Sequence, residues 1–379
     1  MSPPKPLAGK LLRTFFHSWE RRLAYTDDGE RRVLPFEWGA EYLPSFADWT
    51  NPSLATGLAA RTDDPTGKQD ARHVLHEHTQ KALAKSADYF EPGDVSDLEL
   101  LDGELTFTSS ATTGVPENDR VHARFYPAGA SRKNHGRGPA VVVLPHWNAK
   151  EGAQDGLCKL LNRFGLTALK VALPYHEARR PGGLERADFM LSPNVGRTLQ
   201  SFRQAVLDAR NAASWLESEG YGPLGIVGTS LGSAIAFAVY AHESRLDAAV
   251  FNHISPYFAD VVWRGISTRQ VREGLEEGVG LEELRRLWLP LSPFSYYEQL
   301  RDRNRPSLLI YARYDLSFPP DLSKQLLRDI GRLGIEREVY ELPCGHYTTA
   351  KFPFNWMDGL RIARFLSRKL RSSSYSPKK

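Results

Sequence analysis

Residues 140–144 read Ala-Val-Val-Val-Leu, without one polar side chain. A strand with one face in water alternates apolar and polar residues. A short, wholly apolar run between loops instead predicts a strand buried on both faces. Further strands are expected at 168–173, 224–227, 248–251, 307–312 and 338–342. Segments of helical periodicity separate them, at 156–164, 195–218, 232–241, 320–333 and 356–370. Such alternation predicts an α/β fold, with a mostly parallel central sheet flanked by helices. Two earlier segments, 98–109 and 120–126, alternate as strands and are joined by the turn-rich 114–119. The 379 residues allow two or three domains, or one large α/β domain with appendages. With 41% hydrophobic and 25% charged residues, wholesale disorder is excluded.

The texture changes near residue 96. Residues 1–96 are expected to form a helical and loop extension, 97–370 the main domain, and 371–379 a flexible tail. In the extension, Leu11, Leu12, Phe15, Phe16, Trp19 and Leu23 recur at helical spacing, with Arg13, Glu20 and Arg21 off that face. This helix is expected to pack on the main domain rather than on a membrane. Charged residues interrupt 11–25, so no apolar export signal forms and a cytoplasmic location is the default expectation. A turn is expected at 27–29, a loop at 50–65 and a second helix at 70–90. That second helix contains His73, His76 and His78, of which His73 and His76 share a face, but no cysteine or further histidine joins them nearby, and no metal is expected. Cys158 and Cys344 cannot supply a disulfide framework. The net charge of +4 gives no reason to expect a nucleic-acid partner.

The chemistry concentrates at Gly228-Thr229-Ser230-Leu231-Gly232, which an apolar strand precedes and a helix of small and apolar residues follows. In a tight strand-to-helix turn, glycines on either side avoid clashes and lift the serine above the sheet at a helix N-terminus. A serine hydroxyl needs a base, and the base an orienting carboxylate. Leu308-Leu-Ile-Tyr-Ala-Arg-Tyr-Asp315 ends a strand in an aspartate, and Phe318-Pro-Pro-Asp-Leu then opens a helix. Val339-Tyr-Glu-Leu-Pro-Cys-Gly-His346 ends the last strand in Gly-His. All three residues thus fall at carboxyl ends of predicted strands, where open α/β sheets hold ligands.

On these motifs, in this order, residues from about 98 to 370 resemble the α/β-hydrolase superfamily, and more loosely its serine esterase and dienelactone-hydrolase-like branch. The resemblance implies Ser230 as nucleophile, His346 as general base and Asp315 as the orienting acid, with Asp260 the next carboxylate to test. It implies an oxyanion hole from the backbone N–H groups of Leu231 and Trp147. The loop Leu144-Pro-His-Trp-Asn148 departs from the family by placing His146 where glycine is usual. His146 and His176 are read as substrate contacts. The family commonly carries a cap over the nucleophile, and the excursion at about 256–300 is expected to be a small helical one. Tyr257, Phe258, Trp263 and Trp288 make it aromatic, and Tyr257 and Trp263 are expected to bind substrate. The implied activity is cleavage of a small-molecule carboxylic ester through an acyl-enzyme, without cofactor. Acyl transfer or peptide cleavage by the same triad, and a non-catalytic binding protein on the same fold, are the alternatives.

Overall fold

A computed structural model describes residues 6–26, 31–44, 68–129, 137–303 and 305–373. The expected turn at 27–29, the loop at 50–65 and residues 374–379 of the tail lie outside them. Nine strands form one sheet in the order β1-β2-β3-β5-β4-β6-β7-β8-β9. They are β1 Glu99–Leu101, β2 Glu104–Thr108, β3 Arg120–Tyr126, β4 Ala140–Leu144, β5 Thr167–Val171, β6 Leu224–Thr229, β7 Leu246–Asn252, β8 Ser307–Ala312 and β9 Arg337–Leu342. From β5 to β9 all neighbours are parallel, and β1, β2 and β3 join antiparallel at one edge. The apolar runs of β4 and β6 are buried throughout their central residues, as their composition predicts.

The segment 98–109, expected as a single strand, is a hairpin. Asp102 and Gly103 have φ of 50° and 78°. That pair of positive φ values is what a two-residue hairpin turn needs, and Asp-Gly supplies it.

Helices cover both faces. On one lie α4 (Val195–Ser218) and α5 (Leu231–His242); on the other, α3 (Asp155–Arg163) and α11 (Phe354–Ser373). The excursion after β7 holds α6 (Phe258–Arg264), α7 (Arg269–Leu275), α8 (Leu281–Leu287) and α9 (Tyr297–Arg303). After β8 comes α10, Pro320–Arg332. The N-terminal segment contributes α1 (Pro6–Thr26) and α2 (Lys68–Ala84). Helix α2 braces the excursion: His76 Nε2 lies 3.2 Å from Glu283 Oε1, and Thr79 donates to the Leu287 carbonyl at 2.8 Å. Among the described residues, no helix is long and apolar enough to cross a membrane.

Helix α1 docks on the main domain through a face the periodicity misjudges. Leu11, Leu12 and Phe15 are exposed, whereas Phe16, Glu20 and Ala24, four residues apart, are buried. Phe16 stacks on Tyr314, with centroids 4.7 Å apart. Glu20, read from sequence as off the packed face, is fully buried. Its carboxylate accepts from the backbone amides of Tyr347 (3.0 Å) and Thr348 (2.8 Å) and from the Thr348 hydroxyl (2.8 Å). A buried carboxylate is tolerated there because donors surround it. The turn it holds follows His346 directly.

Replacing Glu20 by Ala should leave two buried amides unpaired and lower stability by roughly 1–3 kcal/mol. Glu20→Gln, which keeps one acceptor oxygen, should lose less. Chemical denaturation of the full chain checks this, and equal stability of Glu20→Ala and the parent would refute it.

Candidate active site

Ser230 sits between β6 and α5 with φ 58° and ψ −121°, a strained conformation for a residue bearing a side chain. The crossing is close enough to dictate both glycines. A Cβ on Gly228 would stand 2.0 Å from the Gly232 carbonyl oxygen. One on Gly232 would stand 2.4 Å from that of Pro145. The Ser230 amide donates to the Asn252 carbonyl at 2.8 Å, which ties the turn to the end of β7.

Asp315 follows β8 and is buried. Its Oδ1 accepts from the amides of Ser317 (2.7 Å) and Phe318 (2.6 Å). Its Oδ2 accepts from Nδ1 of His346 at 3.0 Å. The same Oδ2 also lies 2.9 Å from Nδ1 of His253, the residue after β7. Burial alone would push this carboxyl up, but the two imidazoles and their hydrogen bonds hold it well below the usual carboxylate range. Burial likewise works against a charged His346, yet the Asp315 carboxylate outweighs it, with help from Glu20, and the imidazole is raised above its ordinary 6.5. Phe318 stacks on the His346 ring, with centroids 5.5 Å apart and an interplanar angle of 3°. His253, Asp315 and His346 offer ligand-type atoms within 4.8 Å of one another. The two bonds to Oδ2 account for that spacing.

Ser230, His346 and His253 open on one cavity of about 850 Å³, together with Leu231, Trp147 and His146. The turn carrying Trp147 is clamped from behind. Trp147 Nε1 donates to the Ala187 carbonyl at 3.0 Å, and Asn148 Oδ1 accepts from the Ala187 amide at 2.8 Å. His176 completes the clamp: Nε2 accepts from the Asn148 amide and Nδ1 donates to the Pro174 carbonyl, both at 2.8 Å. Both ring nitrogens are therefore committed, and burial lowers this imidazole to about 4, which keeps it neutral. His176 lies behind the turn, where sequence reasoning expected a substrate contact.

The excursion reaches the cavity through Phe258 and Val261, one turn apart on α6, and through Ser267 and Thr268. Tyr257 instead packs on Phe294 (4.8 Å between centroids), and Trp263 packs on the core. Trp288 is wholly buried, with Nε1 3.3 Å from the Val195 carbonyl. Asp260, the alternative acid, is held by Nε and Nη2 of Arg285, at 2.8 Å each. Leu23, Thr26 and Arg31 also line the cavity, so the N-terminal segment shapes the pocket as well as packing beside it.

The profile of the family described as alpha/beta hydrolase domain containing 18 matches residues 153–269, which span β5, the elbow and α6. Acetyl xylan esterase 1 from Thermoanaerobacterium sp. JW/SL YS485 superposes with a TM-score of 0.53 at 15% identity, over 80% of this chain and 98% of that one. Acetyl xylan esterase from Paenibacillus sp. R4 gives 0.51 at 16% identity, over 88% and 99%. The acylaminoacyl peptidase of Pyrococcus horikoshii gives 0.53 at 15% identity over 76% of this chain, which spans only 43% of that longer protein. No curated protein sequence matches the chain. These likenesses show an α/β-hydrolase fold, with the family match confined to residues 153–269. In this chain the strand after the elbow ends at Asn252, and His253 follows it. Asn252 Nδ2 donates to Asp358 Oδ2 at 2.8 Å, and burial pushes the Asp358 carboxyl up to about 7.

Asp358 thus binds its proton more tightly in the fold than in the unfolded chain. The stability it contributes is present below the ordinary carboxyl value of 3.8 and is lost as pH rises toward about 7. Asp358→Asn removes that loss. It should melt above the parent at pH 8, and the difference should disappear near pH 4 in calorimetry.

Proposed function

We propose that the protein is a serine hydrolase that cleaves a carboxylic ester through an acyl-enzyme. The observation that carries this reading is the shared cavity: Ser230, in a strained elbow, and His346, bonded through Nδ1 to an ionised Asp315, open on it together. With Nδ1 committed as donor, the Nε2 of His346 is the acceptor nitrogen. In the proposed sequence His346 takes the Ser230 proton as the hydroxyl attacks the ester carbonyl. The proton is then given to the leaving alcohol as the C–O bond breaks. Water repeats the cycle on the acyl-enzyme, returning Ser230 and releasing the acid. Oxyanion stabilisation is assigned to the amides of Leu231, at the start of α5, and Trp147, in the turn that His176 clamps. Phe258 and Val261 supply apolar wall for the acyl or alcohol group. The acetyl xylan esterases share the fold and nearly all of their length with this chain, which accords with an ester substrate.

Ser230→Ala should abolish labelling by a fluorophosphonate and turnover of short-chain esters while the fold stays intact, and retained turnover would remove Ser230 from the mechanism. Asp315→Asn should lower kcat by about 10³–10⁴, as the tautomer of His346 is no longer fixed. Protonation of His346 removes the base, so kcat/KM should fall on the acid side with a midpoint above 6.5, the ordinary imidazole value. A pH–rate profile checks the sign, and a midpoint below 6.5 would contradict the Asp315–His346 pairing as its source.

A further inference from the structure

Asp315 carries one hydrogen bond more than a base-orienting carboxylate requires. Its Oδ1 is used by two backbone amides, and Oδ2 receives both His346 and His253. His253 is buried, and its ring centroid lies 4.6 Å from that of His346. Its backbone is held on two sides. The His253 amide donates to the Ile310 carbonyl at 2.9 Å, and the Ser233 hydroxyl lies 2.7 Å from both the His253 and Ser230 carbonyl oxygens. Its φ of 58° is an uncommon one for histidine. A histidine that only filled space would not need this strain, nor a bond to an oxygen that His346 already satisfies.

We propose that His253 is a positioning residue of the reaction centre: through Nδ1–H it pins the Asp315 carboxylate and restrains the basicity of His346 by drawing on the same oxygen. The proposal rests on the serine hydrolase reading given above. Two imidazoles sharing one anionic oxygen each receive less of its charge than one alone. The titratable groups facing His346 are Asp315, His253, Glu20 and Tyr347, and those facing His253 are Asp315 and His346. Burial and the neighbouring His346 both lower the proton affinity of His253, so it stays neutral and donates without adding charge. The observation that β7 delivers His253 beside the elbow makes this a feature of the strand order itself.

The test compares His253→Gly with His253→Asn in the full chain. Both residues accept the left-handed backbone, and Asn alone returns an N–H to the Nδ1 position. The readout is the rate of fluorophosphonate labelling of Ser230 across pH, which needs no knowledge of the natural substrate. The glycine variant should label at least about tenfold more slowly at its plateau, the kinetic equivalent of one charged hydrogen bond. Its acidic limb should move to higher pH, because His346 then has the Oδ2 charge to itself. The asparagine variant should regain both the parent's rate, to within about threefold, and the parent's limb. A glycine variant with the parent's rate and limb would overturn the proposal. So would a slower rate with an unmoved limb, or failure of Asn to restore activity in a protein that melts like the parent. If the glycine variant does not fold, the asparagine variant decides alone, and a tenfold loss or a shifted limb in it counts against the proposal. Labelling that persists in Ser230→Ala would sink the serine hydrolase reading instead, a result distinct from all of these.

Discussion

The sheet, the helix that follows β6 and the turn after β4 meet at one crowded crossing. Gly228 and Gly232 approach each other and the Leu144 and Pro145 carbonyls at distances no side chain can occupy. That contact forces the backbone at Ser230 into a positive φ and sets the start of α5 against the sheet. It also brings the turn carrying His146 and Trp147 beside the serine, since β4 and β6 are neighbours in parallel register, with Leu144 opposite Gly228. Strain at one residue is therefore supported by backbone packing over several strands, as is usual where a functional group must be aimed.

Asp315 does for the other half of the site what the glycines do for the elbow. One buried carboxylate collects donors from the residues after β7, β8 and β9 and so fixes three strand ends relative to one another. Its ionisation needs those donors, because burial without them would favour the neutral acid. Glu20 repeats the device from the N-terminal helix, where its carboxylate holds the turn that follows His346. Two carboxylates thus fix the base, one through the ring and one through the backbone that follows it.

Much of this was legible in the chain. Continuous apolar runs determined a parallel sheet covered on both faces, since only a doubly buried strand dispenses with polar residues. The spacing Gly-x-Ser-x-Gly, the aspartate after 308–312 and Gly-His after 339–342 placed Ser230, Asp315 and His346 at strand ends, and the fold brings their elements to one cavity. The hairpin turn at Asp102-Gly103 was missed by reading 98–109 as one strand, although that residue pair tolerates two positive φ values in succession.

His253 and Phe318 were not found in this way, although both follow strands that the pattern identified, and the rule that ligands sit at carboxyl ends would have pointed to them. The aromatic residues of 256–300 show why composition is a poor guide to a pocket wall. Tyr257 and Phe258 are consecutive on the chain and turn to opposite surroundings, a difference set by how α6 is rotated against its neighbours. His176 and Glu20 escaped for the same reason: a polar residue is read as exposed or functional until its partners are known, and those partners lie 28 and 328 residues away. The sequence by itself determined periodicity, and therefore strands, helices and the local turn at Ser230, because steric limits on the backbone act between near neighbours. Only the tertiary structure decided which polar groups are buried together, because hydrogen bonding between distant residues depends on strand order and helix rotation, which no local pattern encodes.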